Sequence, residues 1–211
     1  MTKPPYWDEA IRSLAARDSV IAGLIAAYPG LHLTRRGDPF TTLARAIVGQ
    51  QISVKAAQTI WERLLGACDS GAALPLDPAR VQRRRITTLR GCGLSERKAE
   101  YIRDLARHFT SSRLDPKAWP ALDDEALIAA LVDVKGIGRW TAEMFLMFHE
   151  MRADVLPVDD IGLQKAVAMH YFDGARPTLA ELRMLAENWQ PYRSVATWYL
   201  WRSLDPIPVE Y

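Results

Sequence analysis

The sequence predicts an almost wholly α-helical protein, and three observations carry that prediction. Apolar residues recur at spacings of three and four, which gathers them on one face of a helix. Sustained two-residue alternation, the mark of a half-buried strand, is missing. The stretches between the periodic segments contain proline or glycine, the residues that end helices.

Taken in order, the pattern predicts helices over 7–16 and 18–27, closed by "YPGLHLTRRGDP". Helices over 40–49 and 53–67 follow, separated by the turn "GQQIS" and ended by "CDSGAALPLDP". Segments 77–84 and 95–109 come next, and "SSRLDPKAWP" breaks the second. The pair 123–133 and 139–150 is joined by "KGIG" and ended by "LPVD". The remaining helices span 160–171, 178–188 and 192–203, with "DGARP" after the first. No break has the length or composition of a disordered linker, so the lobes are expected to pack together.

Composition narrows the function classes. A chain of 211 residues with 49% hydrophobic content can build a sizeable core. Its 27 basic and 25 acidic residues leave a net charge of +2, so a basic surface must come from local clustering. Cys68 and Cys92 are too few for a disulfide framework, which favours a reducing compartment. The start "MTKPPYWDEA" lacks a signal pattern and no apolar run approaches ~18 residues, so an intracellular protein without a membrane partner is expected.

The stretch "VKGIGRWTAEMF", 134–145, holds the first candidate site. Glycine supplies the positive φ of a tight turn and the room for close backbone approach, so Gly136 and Gly138 are expected to form such a turn between two helices. The helix that follows opens with unpaired N–H groups and a partial positive charge, a seat for a phosphate oxygen. Lys135 and Arg139 add charge, and Thr141 stands where it would bond the turn. A plain helical hairpin accounts for the same residues. "CGLSERKA", 92–99, repeats the pattern of "KGIGRWTA", 135–142, each after a short helix and before a longer one; duplication and coincidence both fit.

"LVDVKGIGRWTAEMFLMF" resembles the helix–hairpin–helix (HhH-GPD) superfamily of base-excision DNA glycosylases. "LPVDDIGLQKAV" resembles the segment that carries the superfamily's aspartate, and Asp160 lies 20 residues past Trp140, as in the DNA-3-methyladenine glycosylase II branch. "LARAIVGQQISVKAAQTIWERL", "GLSERKAEYIRDLA" and "WQPYRSVATWYLW" extend the likeness over roughly 40–204 in the family's order. The resemblance implies two α-helical lobes with an active-site cleft between them, one near 35–150 ending in the hairpin at 124–150 and the other from 1–34 with 151–211. It further implies a compact form without the N-terminal β-rich domain.

The implied function is removal of N-alkylated purines from double-stranded DNA by a monomeric, monofunctional glycosylase. By resemblance Asp160 is the catalytic residue, and Asp159 its neighbour or the helix cap. A carboxylate there stabilises the positive charge that builds on the deoxyribose, and orients or deprotonates the attacking water. An N-terminal helix cap is the structural alternative, and the two roles are compatible. Relatives with lyase activity carry a lysine where this chain has Trp140, and a tryptophan cannot form an imine, so an intact abasic strand is expected.

Trp140, Met144, Ile161 and Trp201 fall at the family's base-pocket positions, with Met144 and Ile161 making that pocket less aromatic. The side chain inserted into the duplex falls in "GQQIS" at Gln51, with Ile52 the more apolar wedge; Gln50 and Gln51 capping a plain turn is the other reading. Arginines 83–85 and "SERK", 95–98, are candidates for phosphate contact or simply solvated faces. No iron–sulfur cluster is expected from two distant cysteines. By analogy the hairpin is a candidate for Na+ or K+ on the main-chain carbonyls of Val132, Val134 and Ile137. The competing readings are a glycosylase of the same fold for deaminated, oxidised or mismatched bases, and a non-catalytic DNA-binding module.

Overall fold

A computed structural model describes residues 3–35, 37–69 and 75–205, and among them it contains helices and no strand. Twelve α-helices are described: α1 (Trp7–Arg17), α2 (Ser19–Ala27), α3 (Pro39–Gly49), α4 (Val54–Ala67), α5 (Pro78–Arg83), α6 (Ile86–Gly91), α7 (Glu96–Thr110), α8 (Asp124–Val132), α9 (Arg139–Phe148), α10 (Ile161–Tyr171), α11 (Leu179–Glu187) and α12 (Arg193–Leu204). The apolar spacing located eleven of these to within one or two residues. It did not resolve α6, which is as short as α5 but lacks the capping aspartate and first-position proline that mark α5, nor the 3-10 turn Trp119–Ala121. The chain divides into two compact units, one comprising the described residues up to Arg35 and from Leu146, the other those from 37 to Phe145, so that the division falls within α9.

In the second unit, short polar side chains start the helices at the sequence breaks. Asp38, Ser53, Asp77, Ser95 and Asp123 each accept an amide of the helix they precede, and Pro39 and Pro78 occupy first positions where no N–H is needed. The amphipathic α7 packs against α3, α5 and α6. Four aromatic rings, Phe40, Phe109, Trp119 and Phe145, run edge to face through the core at centroid distances of 5.2, 6.2 and 5.5 Å. Trp119, in the 3-10 turn, is the ring that fills the middle of this ladder.

In the first unit, α12 packs against α1, α2 and α10. Trp7 meets Trp198 edge to face at 5.3 Å, and Leu14, Ile21, Leu163, Val167 and Trp189 close the core around them. One buried carboxylate organises this unit. Asp18 Oδ1 accepts the amides of Val20 and Ile21 at 3.0 and 3.1 Å, capping α2, while Oδ2 accepts Tyr171 O–H and Trp189 Nε1–H at 2.8 Å each. Both oxygens of the buried carboxylate and the four donors they accept are thereby satisfied.

Candidate functional site

Asp160 ends the loop that leads into α10. The loop is tied to the start of α12: Arg193 grips Asp154 with Nε and Nη2 at 2.8 Å each, and Ser194 Oγ donates to the Arg152 carbonyl and accepts Val155 N–H. Gln164, one turn into α10, donates to the Val158 carbonyl. On this support Asp160 is the N-cap of α10, with Oδ1 accepting Leu163 N–H at 2.6 Å and Trp201 Nε1–H at 2.8 Å. Its carboxylate is therefore fixed in plane by a helix amide and an indole, in the positive field of a helix start. Gly162 leaves room for this, because a methyl group there would come within 3.1 to 3.2 Å of Asp160 Oδ1 and the Trp201 ring. Trp201 is itself held by stacking on Phe148, 5.9 Å away and 11° from parallel. Asp159 is exposed and does not cap the helix.

Of the other pocket candidates, Ile161 is 77% exposed and Trp140 40% exposed, whereas Met144 is buried. Two large apolar side chains turned to solvent at the start of helices are the feature that sequence periodicity could not reveal, since a stripe of apolar residues reads first as core.

The hairpin between α8 and α9 is a turn built on Gly136, whose φ of +84° only glycine adopts without strain. Any Cβ at this position would also overlap the ring of Tyr101. Gly138 differs: its φ is not positive and nothing lies within 4 Å of where a Cβ would stand. The expectation that both glycines shape the turn is corrected here, because only Gly136 does so. The amides of Gly136 and Gly138 find no acceptor among the described residues, while Lys135 N–H is taken by Asp104 Oδ2 at 3.0 Å.

Two further expectations for this turn change. Thr141 makes no side-chain hydrogen bond to it among the described residues. Arg139 does not present a bare charge: Nη1 and Nη2 embrace Glu125 at 2.9 and 2.5 Å, and Nε donates to the buried Glu143 at 2.9 Å. The bonds from Glu125 hold the guanidinium above its ordinary pKa, and the same bonds hold the Glu125 carboxyl below its own. Sequence reading missed this because Glu125 lies in another helix. Lys135 is exposed.

The carbonyls proposed for a cation suit an alkali ion in kind. Those of Val132 and Ile137 accept no hydrogen bond among the described residues, and that of Val134 accepts only Ile137 N–H at 3.1 Å. Neutral oxygen donors are what Na+ and K+ take.

Between α3 and α4 the turn "GQQIS" carries Gln51 with φ +57°, an uncommon conformation for a side-chain-bearing residue. Gln51 is exposed, Ile52 is partly exposed, and Val54 beside them is 84% exposed. The turn thus displays a polar tip flanked by β-branched apolar side chains. Gln50 does not cap the turn but reaches away from it, donating Nε2–H to the Gly136 carbonyl at 2.8 Å. Lys98, a candidate for phosphate contact, instead donates to the Val48 and Gln50 carbonyls at 2.8 and 2.6 Å, and burial lowers its pKa. In the arginine run, Arg84 pairs with Asp69 while Arg83 and Arg85 are exposed.

The internal sequence repeat is a structural one. Gly93, with φ +103°, stands where Gly136 stands; Leu94 and Ile137 are both buried after it; Ala99 and Ala142 are both buried in the helix that follows. At one aligned position the two hairpins differ in how the helix starts: Ser95 caps α7 with its own Oγ, whereas Gly138 has no side-chain oxygen and gives α9 only its carbonyl, which accepts Ala142 N–H at 3.0 Å.

Comparison with known proteins places this geometry. Residues 44–191 match the model of the HhH-GPD superfamily base excision DNA repair protein. A relative from Schizosaccharomyces pombe, named DNA-3-methyladenine glycosylase 1, is 32% identical over 181 residues, covering 85% of this chain and 78% of the relative. Some relatives are longer, and the chain spans 66% of one from Bacillus subtilis. The crystal structure of a DNA-3-methyladenine glycosidase from Bacillus halodurans superposes with a TM-score of 0.86 at 36% identity, over 93% of this chain and 89% of that one. The S. pombe 3-methyladenine DNA glycosylase in complex with abasic DNA superposes with a TM-score of 0.78 at 28% identity, over 95% and 100% of the two chains. With more than half of its length matched and its helices, hairpin and capped aspartate in place, the chain belongs to the HhH-GPD superfamily of base excision DNA repair proteins.

Proposed function

We propose that this protein is a monofunctional DNA glycosylase that removes N-alkylated purines, of the 3-methyladenine and 7-methylguanine type, by hydrolysing the N-glycosidic bond. The observation that carries the reading is the Asp160 carboxylate, fixed by Leu163 N–H and Trp201 Nε1–H at the start of a helix. As the bond from C1′ to the base nitrogen breaks, its electrons leave with the base and positive charge develops on the sugar. A carboxylate held in place needs no reorganisation to oppose that charge, and it accepts the proton that water loses on adding to C1′. The names of the relatives and of the solved neighbours support the substrate class.

In the hairpin, the amides of Gly136 and Gly138 and the Lys135 ammonium take one DNA phosphate, which fixes the protein on the duplex without reading sequence. Na+ or K+ on the carbonyls of Val132, Val134 and Ile137 would add positive charge to that clamp. Gln51, with Ile52 and Val54 beside it, fills the gap left by the flipped nucleotide. Trp140 supplies an aromatic face for a cationic base and no amine for a lyase step.

The test is a gel assay on duplexes carrying 7-methylguanine, hypoxanthine or 8-oxoguanine, with and without alkali, alongside Asp160→Asn. Asparagine keeps the acceptor for Leu163 N–H, so the variant folds, and loss of the charge is expected to slow base release by about 10²–10³-fold. Strands are expected to stay full length until alkali is added, with no adduct trapped by borohydride. Release at near wild-type rate by Asp160→Asn contradicts the assignment of the aspartate. Scission without alkali, with a borohydride-stable adduct, contradicts the monofunctional mechanism. Preference for 8-oxoguanine moves the substrate to oxidised bases.

A further inference from the structure

One face of α7 touches both elements with which the second unit meets DNA in the reading above. Lys98, Tyr101 and Asp104 recur every three residues and so form one stripe. Lys98 Nζ holds two carbonyls at the end of α3, where the wedge turn begins, those of Val48 and Gln50, at 2.8 and 2.6 Å. The Tyr101 ring fills the space above Gly136 that a Cβ would need. Asp104 Oδ2 accepts the first amide of the hairpin, Lys135 N–H, at 3.0 Å. Across the stripe, Gln50 bonds the wedge turn to the hairpin directly, Nε2–H to the Gly136 carbonyl at 2.8 Å. A carbonyl only accepts, so it is the amide nitrogen of Gln50 that faces it.

We propose that Gln50 and Lys98 are positioning residues for base flipping: they lock the wedge turn to the phosphate-binding hairpin, so that gripping a phosphate sets where the wedge enters the duplex. The proposal rests on the glycosylase reading and on Gln51 and Ile52 as the wedge. Its physical basis is that insertion demands a fixed distance between two protein points on one duplex. The wedge turn's own side chains add little to that, since its tip residue stands in an uncommon left-handed conformation and its apolar neighbours are exposed. Misplacement of about 1 Å in such a constellation costs up to about 100-fold in rate. Neither Gln50 nor Lys98 needs to touch DNA for this.

The decisive measurement compares a paired lesion with one whose flipping is easy. 7-Methylguanine in a duplex, opposite cytosine or inside an unpaired bubble, gives such a pair, because an unpaired base costs less to extrude. Gln50→Leu, which keeps size and removes the donor, is expected to lower single-turnover release from the paired site at least tenfold. From the bubble the loss is expected to stay within about twofold, and so is the loss in affinity for undamaged duplex. Lys98→Met, tested in parallel, is expected to show the same selectivity, and Lys98→Arg to restore part of it by returning a donor to the two carbonyls. Equal losses on paired and bubble sites by both variants would mean a merely structural role and overturn the proposal, as would no loss on either. A wild-type protein that releases the base from neither site removes the glycosylase reading, and the proposal with it.

Discussion

Trp201 serves Asp160 through a single N–H, and that makes its contribution separable from its ring. In Trp201→Phe the stack on Phe148 is retained while the donor to Asp160 Oδ1 is lost and the bond from Leu163 N–H is kept. A carboxylate held by one bond fewer is expected to lower kcat for base release by about tenfold with KM changed less than twofold, since the lost interaction orients the reacting group without binding DNA. Single-turnover and steady-state kinetics on a 7-methylguanine duplex measure the split, and a rise in KM at constant kcat would assign Trp201 to base binding alone. At this scale the sequence was informative where chemistry is local. Asp160 announces itself as a cap from its own neighbourhood, and the cap is what presents it. The charged residues were less legible: Arg139 and Lys98 look like phosphate contacts until their partners arrive from Glu125 in another helix and from the carbonyls of Val48 and Gln50. No short-range pattern encodes such pairings.

The element that repays comparison is the hairpin, because the chain contains two. In the first, Ser95 Oγ accepts Lys98 N–H at 3.3 Å and so quiets the start of α7. In the second, Gly138 leaves the start of α9 without that acceptor, and the space where its Cβ would stand is open. Gly138→Ser would therefore supply α9 with its own cap. Stability is expected to rise by a few tenths of a kcal/mol. Affinity for undamaged duplex is expected to fall about fivefold, and the slope of log K against log salt to become shallower by about one if the phosphate contact goes. Urea unfolding and fluorescence anisotropy across a salt series test both limbs. Unchanged DNA affinity in a stabilised variant would show that the hairpin does not hold a phosphate with its amides. Helix positions were well specified by the apolar spacing and by the Asp and Ser caps. The short α6 and the turn around Trp119 were not, because so few residues cannot establish a period, α6 has none of the Asp–Pro start that marks the equally short α5, and Trp119 takes its conformation from the ring ladder it completes.

For the molecule as a whole, each unit has its own organising group, aromatic in the second and ionic in the first. Asp18 joins α2 to Tyr171 at the end of α10 and to Trp189 beyond α11, with four donors on two oxygens and 7% of its surface exposed. Asp18→Ala leaves two amides, a phenol and an indole without an acceptor, and is expected to cost about 3–5 kcal/mol. Urea unfolding followed by tryptophan fluorescence measures it, and a loss below about 1 kcal/mol would mean that the donors find other partners. The second unit's stripe of Lys98, Tyr101 and Asp104 bears on a different quantity, the speed of search. A repair enzyme meets a great excess of sound base pairs, and each encounter is brief. Because the turn, the hairpin and the helix beneath them are bonded to one another before any DNA arrives, contact with a phosphate orders nothing further and carries no folding delay. The rate at which this surface samples the duplex is then governed by diffusion and by the ions it displaces, and time is spent only where a base yields.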